Sequence, residues 1–139
     1  MYDRILVATD YSKMSKRALQ AALELALLSQ GEVWVLHLRE REIVAKAGML
    51  PPEETYGEAE KAVQATVETL TQVGVKAHGE VRNTLFGYIA ADIVRDAREH
   101  DVDVIVMGTR GLTDLTGLVL GSTAHKVIHL ADRPVLVVR

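Results

Sequence analysis

The chain has 139 residues, 19 acidic against 16 basic, a formal net charge of −3 and no cysteine. That is the length of one domain, spanning 1–139, able to bury about two thirds of the surface its unfolded chain exposes without a metal or disulfide staple. The missing cysteines exclude a disulfide framework, a thiolate zinc site and a thiol nucleophile, and suit a reducing, cytoplasmic setting. The acidic balance speaks against a nucleic-acid reader, and no apolar run approaches the ~18 residues that would span a membrane.

The first apolar run, Arg4–Thr9 (RILVAT), is near-continuous, as expected of a strand covered on both faces. Leu19, Ala22, Leu23, Ala26 and Leu27 follow at helical spacing, with Ser12 or Ser15 available as the cap. Gly31 stands where a left-handed stop is expected. A second buried strand reads Glu32–Leu38, with His37 inside it as a satisfied core histidine.

Arg39–Gly57, holding Pro51 and Pro52, reads as an irregular segment: a surface loop, or a flap over a ligand. A second helical stripe runs through Ala59, Val63, Thr66, Leu70 and Val73 and closes at Gly74. Val75–Arg82 is more mixed, the mark of an edge strand, and His78 reads as a surface residue. Ile89, Ile93 and Ala97 carry a third helix. The charge run Arg95–Asp103, His100 included, reads as a solvated helix end.

Asp103–Met107 is a further buried strand, and the motif that carries chemistry follows it. Gly108-Thr-Arg-Gly111 is separated by nine residues from Gly121-Ser122, at the start of a short helix through Ala124, Val127, Ile128 and Ala131. Glycine lets the backbone approach a phosphate, and a helix start offers unpaired N–H groups and partial positive charge. The Ser122 hydroxyl is available to cap the helix or to bind a phosphate oxygen, and Arg110 and Lys126 are candidate cationic supports. The bland alternative is that Gly108 and Gly111 shape a turn while Gly121 starts the helix. The pattern is neither a Walker A loop nor a dinucleotide fingerprint. His125 and His129 have metal spacing without a third ligand, so no metal site is assigned. The last run, Pro134–Val138, ends the chain.

Strands alternating with helices imply right-handed crossovers and a doubly wound α/β sheet. If its order is 3-2-1-4-5, the order reverses between strands one and four, where ligands of such sheets bind. Asp10 and the glycine loop then face one crevice. Asp10 serves there as a ligand to a donor group or a metal, or else caps the first helix.

The segments RILVATDYS, VLHL, DVIVMGTRG and RPVLVV, together with the intact Gly-x2-Gly-x9-Gly-Ser signature, resemble the universal stress protein family over essentially the whole chain, and its ATP-binding branch in particular. The resemblance implies a five-stranded parallel sheet of order 3-2-1-4-5 with helices on both faces, an adenine nucleotide alpha hydrolase-like fold. It implies ATP, with Mg²⁺ carried on its phosphates, as the ligand. Ala8, Thr9 and Asp10 would line the adenosine, Leu38 would meet adenine through its backbone, and Met107 and Gly108 would lie along the ribose. Gly111, Gly121, Ser122 and Thr123 would hold the phosphates, with Arg110 in the motif by position. The family often has proline or valine where Ala8 stands. The resemblance further implies a homodimer, and Pro134–Val138, as an apolar edge strand, supplies a physical motive for pairing. The reading is of a regulatory nucleotide-binding module in the stress response, with no catalytic residue assigned. The alternative is a slow ATPase or nucleotide hydrolase in which Asp10 or Asp114 steers water or metal.

Overall fold

The computed structural model describes residues 1–41, 43–44, 48–49, 55–109 and 120–139. Strand β1 (Arg4–Thr9) is followed by helix α1 (Lys13–Ser29) and strand β2 (Glu32–Arg41). Two short strands, β3 (Ile43–Val44) and β4 (Gly48–Met49), pair antiparallel with each other. Then come α2 (Tyr56–Gln72), β5 (Ala77–Leu85), α3 (Ile89–Glu99), β6 (Val104–Gly108), α4 (Ser122–Leu130) and β7 (Val135–Val138).

The main sheet has the order β5-β2-β1-β6-β7, and every pairing is parallel. Numbered among themselves, its strands run 3-2-1-4-5, as expected. Alternate residues of the central strands feed two apolar layers. Ile5, Val7, Val33, Val35, Val104 and Val106 pack with Ala18, Ala22 and Ala26 of α1 and with Val63 and Leu70 of α2. Leu6, Leu36, Ile105 and Met107 pack with Ile93, Val94 and Ala97 of α3 and with Ala124 and Val127 of α4. Burial on both faces is why β1 and β6 read as unbroken apolar runs.

The helix boundaries follow local chemistry. Ser12 caps α1 and accepts from the Ser15 amide at 3.2 Å. The left-handed stop falls on Gln30 (φ 58°), not on Gly31. Gly31 is needed for space, because a Cβ there would lie 2.5 Å from the Tyr2 carbonyl oxygen. The buried line of α1 is Ser15, Ala18, Ala22 and Ala26; of the expected stripe, Ala22 and Ala26 are buried, Leu19 and Leu23 pack against the core, and only Leu27 is half exposed. Small residues on this line let the helix lie close to the sheet. Helix α2 opens with a capping box between Thr55 and Glu58. It buries Ala59, Val63 and Leu70 and closes before Gly74 (φ +90°). Val73, expected in that stripe, is half exposed, and so is Ile128 of α4.

Other expectations need correction. Arg39–Gly57 is less irregular than its prolines suggest: β2 runs on to Arg41, and α2 begins at Tyr56. Pro51 and Pro52 lie outside the described residues. The third main-sheet strand starts two residues later than expected, at Ala77, and extends to Leu85. It is an edge strand, as its mixed composition indicates. Arg95–Asp103 is not wholly solvated, since Asp96 is completely buried.

Candidate functional site

The sheet order reverses at β1, which has β2 on one side and β6 on the other. The carboxyl end of β1 is a turn built almost entirely from hydroxyls and main chain. Thr9 is buried, its Oγ1 donates to Ser15 Oγ at 3.1 Å, and it accepts from the Tyr11 amide at 3.0 Å. Asp10 Oδ1 accepts from the Ser12 amide at 2.9 Å. Asp10 is therefore not the helix cap, a task that belongs to Ser12; it instead fixes the approach to α1. Tyr11 takes a left-handed backbone (φ 60°), which costs a bulky residue on the order of 1–3 kcal/mol. Its ring meets His37 edge-on at 5.2 Å, and its hydroxyl lies 3.0 Å from Thr66 Oγ1. His37 Nδ1 in turn sits 2.8 Å from the Thr9 carbonyl oxygen, so His37 is a buried, hydrogen-bonded core residue as expected. Sequence reasoning passed over Tyr11. Its signal is weak, because nothing in residue type foretells a left-handed tyrosine.

Beside this turn, Ala8, Leu38, Met107 and Leu120 belong to one apolar layer with Ala124 of α4. Met107 is 5% exposed, while Ala8 and Leu38 are half-buried. These residues form an apolar wall at the end of the sheet. Gly108 has a packing reason to be glycine, since an added Cβ would fall 2.9 Å from Met14 Cβ and 3.0 Å from the Met14 carbonyl carbon. The strand β6 can thus run close against the first turn of α1.

Past β6, the Thr109 amide donates to the Val138 carbonyl at 2.9 Å, and the Gly121 amide donates to the Thr109 carbonyl at 2.7 Å. This second bond ties the start of α4 to the end of β6. Gly121 is the N-cap of α4 and, lacking a side chain, supplies no cap of its own. Ser122 is the first helical residue and exposed, so its hydroxyl does not cap the helix as expected. Thr123 follows it, half-buried. The structure thus brings Ala8, Thr9, Asp10, Leu38, Met107, Gly108, Gly121, Ser122 and Thr123 to the carboxyl end of the sheet. Arg110, Gly111 and Asp114 lie outside the described residues. Such an arrangement offers main-chain donors and a helix dipole to an anion beside an apolar surface.

A comparison of the whole chain with protein-family models matches the universal stress protein family over residues 1–139. The chain belongs to the universal stress protein family. It is 35% identical to the universal stress protein YxiE of Bacillus subtilis, with both chains fully covered. The solved structure of MJ0577, a universal stress protein of Methanocaldococcus jannaschii, superposes with a TM-score of 0.82 at 27% identity, covering 99% of this chain and 96% of that one. The universal stress protein of Archaeoglobus fulgidus, solved in complex with dAMP, superposes at 0.74 with 28% identity over 99% of this chain and 98% of its own. The five-stranded parallel sheet is the adenine nucleotide alpha hydrolase-like fold of these proteins.

Two clefts lie away from the residues just described. One, of about 510 Å³, is at the amino ends of the strands between Asp3, Gly31, Glu32 and Lys76. The other, of about 530 Å³, lies between α2 and β5 at Tyr56, Glu60, Gly79 and Val81. No helix among the described residues is long and apolar enough to cross a membrane.

A second charged constellation, missed by sequence reasoning, stands on edge strand β5. Glu80 and Arg82 project toward α3, where Arg82 Nε lies 2.7 Å from Glu80 Oε1 and 2.8 Å from Asp96 Oδ1. The same guanidinium pairs with Glu99. His100 Nε2 is 3.1 Å from Glu80 Oε2. Burial, and then the nearby Glu80 carboxylate, push the Asp96 carboxyl up to about 7. Burial opposes ionisation of Glu80 too, yet its contacts to Asp96, His100 and Arg82 bring it below the usual carboxylate range. Below about pH 7, Asp96 is therefore the protonated acid of the pair and Glu80 the ionised one. A signal existed, for Asp96 falls on the apolar stripe of Ile89, Ile93 and Ala97.

Proposed function

We propose that this universal stress protein is a regulatory module of the cytoplasm that binds ATP at the carboxyl ends of β1 and β6. The observation that carries the reading is the hydrogen bond from the Gly121 amide to the Thr109 carbonyl. It fixes an amino-terminal helix end, bare of any side chain at its cap, beside the apolar wall of Ala8, Leu38 and Met107. These residues suit the two halves of the ligand. The wall and the Thr9–Asp10 turn would receive adenosine, with the Asp10 carboxylate available to an adenine amine or ribose hydroxyl. The amides at Ser122 and Thr123, with Gly121 leaving room at the cap and Gly111 and Arg110 from the signature, would receive the phosphates, which would carry Mg²⁺. Similarity to a relative solved with dAMP supports an adenine nucleotide as the ligand class.

Binding would change the surface that partners read. Calorimetry with ATP and Mg²⁺ is expected to give saturable heat, with phosphate release near background. No heat at millimolar ATP would refute the reading. Multiple-turnover phosphate release that Asp10→Asn abolishes would replace it with the hydrolase alternative. Mass spectrometry of nucleotide released from the purified protein would separate ATP from ADP and AMP.

The same reading includes a homodimer through Pro134–Val138. Strand β7 is a sheet edge, and its Leu136 is 41% exposed. Such an edge invites a twin strand. Sedimentation is expected to give twice the chain mass, and Leu136→Asp is expected to shift it toward the monomer.

A further inference from the structure

Glu80, Asp96 and His100 each offer one ligand atom within 4.8 Å of the others, and among the described residues they are the one group of side chains placed to share a cation. We propose that this cluster on the β5–α3 edge is a binding site for a divalent transition metal of the zinc class, separate from the residues at the carboxyl ends of β1 and β6.

Distance supports it first. Ligands about 2.1 Å from a common tetrahedral centre stand about 3.4 Å apart. His100 Nε2 lies 3.1 Å from Glu80 Oε2 and 3.8 Å from Asp96 Oδ1, bracketing that value. Asp96 supplies the second argument. It is 0% exposed, and neither of its carboxylate oxygens accepts a hydrogen bond. Arg82 Nε has one hydrogen and directs it to Glu80 Oε1, which leaves Asp96 only a charge contact with that nitrogen. A buried carboxyl group in that condition is costly, and a cation taking the place of its proton relieves it.

Charge supports it third. Four acids, Glu80, Asp92, Asp96 and Glu99, of which only Asp96 holds a proton, meet two guanidiniums, Arg82 and Arg95. Arg82 occupies Glu80 Oε1 and leaves Oε2 facing His100, so on Glu80 the metal and the arginine use different oxygens; on Asp96, Oδ1 is the oxygen beside Arg82 Nε, and Oδ2 has no hydrogen-bond partner. On binding, His100 takes the tautomer with its hydrogen on Nδ1, and the metal replaces the Nε2 contact to Oε2. One imidazole and two carboxylates suit Zn²⁺ and its first-row neighbours better than Mg²⁺ or Ca²⁺, which favour all-oxygen sets. Glu80 and His100 side chains are both 30% exposed, so a fourth position is open to water.

The chain carries its own reporter. Trp34 is the sole tryptophan, and its ring is stacked on His100 at 5.5 Å. The test uses the full chain, freed of metal by chelation, in phosphate-free buffer without nucleotide. Zn²⁺ is titrated by calorimetry and paramagnetic Co²⁺ by Trp34 fluorescence. One equivalent of Zn²⁺ is expected to bind with a micromolar dissociation constant, and Co²⁺ is expected to quench Trp34 with the same stoichiometry. His100→Gln and Asp96→Asn, each checked for folding by circular dichroism, should weaken binding at least about tenfold. The pair His125→Gln and His129→Gln, on α4, should leave it unchanged. No saturable binding below about 100 µM, binding without Trp34 quenching, or loss in the α4 variant would each overturn the site. The unsubstituted chain decides the matter even if the β5–α3 variants fail to fold.

Discussion

The carboxyl end of β1 and β6 and the outer edge at β5 and α3 are built from opposite materials. At the first, Thr9, Tyr11, Ser12 and Gly121 are placed by main-chain and hydroxyl bonds, and the capping position is bare of a side chain. At the second, Glu80, Arg82, Asp96, Glu99 and His100 meet through charged side chains brought together by the packing of a helix on a strand. A site of amides binds by geometry and changes little with pH. A site of carboxylates and imidazole is set by its protons and cations. The two should therefore respond to different perturbations.

The largest expected effect tests that independence. Gly121→Val places a branched side chain at the bare cap and should weaken ATP binding at least about 100-fold, near 2.7 kcal/mol. Zn²⁺ binding at β5–α3 should not move. Calorimetry with both ligands on the one variant checks this, and a parallel loss of zinc would show the two regions to be coupled.

Next in size is the dependence of stability on pH. Folding raises the Asp96 carboxyl from its ordinary value to about 7, so the folded chain keeps a proton that the unfolded chain gives up near pH 4. That stabilisation is complete at low pH and is lost as pH climbs through about 7. Urea unfolding with a chelator present should show a fall of roughly 2 kcal/mol between pH 5 and pH 8. Asp96→Asn should flatten the slope, and an unchanged slope would place the proton elsewhere.

Gly108→Ala comes third. Its Cβ would meet the Met14 main chain, and about 1.5 kcal/mol of stability should be lost through strain between β6 and α1. Thermal unfolding measures this, and a neutral result would return Gly108 to a purely ligand-facing role. The smallest effect belongs to Arg95→Ala. Arg95 is 55% exposed in its contact with Asp92, and its removal should cost less than about 0.5 kcal/mol.

Legibility in the sequence divides along the same line. Burial on both faces leaves unbroken runs at Arg4–Thr9 and Asp103–Met107, so the strands and their alternation with helices could be read in advance. Glycine marks backbone approach, so Gly108 and Gly121 stood out, although Gly108 proves to face Met14 as well. Helical spacing placed Ala22 and Ala26 in the core and Leu19 and Leu23 against it, but it missed Ala18 and wrongly included Leu27, because close approach of helix and sheet selects small residues for the contact. Gly31 was read as a conformational stop when it is a clearance beside the Tyr2 carbonyl. The Glu80–Asp96–His100 cluster escaped notice because strand alternation and helical spacing must be combined before these residues meet. A run of charges looks solvated until its helix is laid on a sheet. Asp96 broke the apolar stripe, and that break was the clue.

The hydrogen bond between Gly121 and Thr109 has one more consequence. It holds the two roots of the intervening stretch against each other, with Thr109 also fastened to Val138. A segment pinned at its roots can be exchanged like a cassette, its length and residues altered while the scaffold on either side keeps its register. Grafting the corresponding stretch from a relative onto these two anchors would exchange that stretch without redesigning how the scaffold folds.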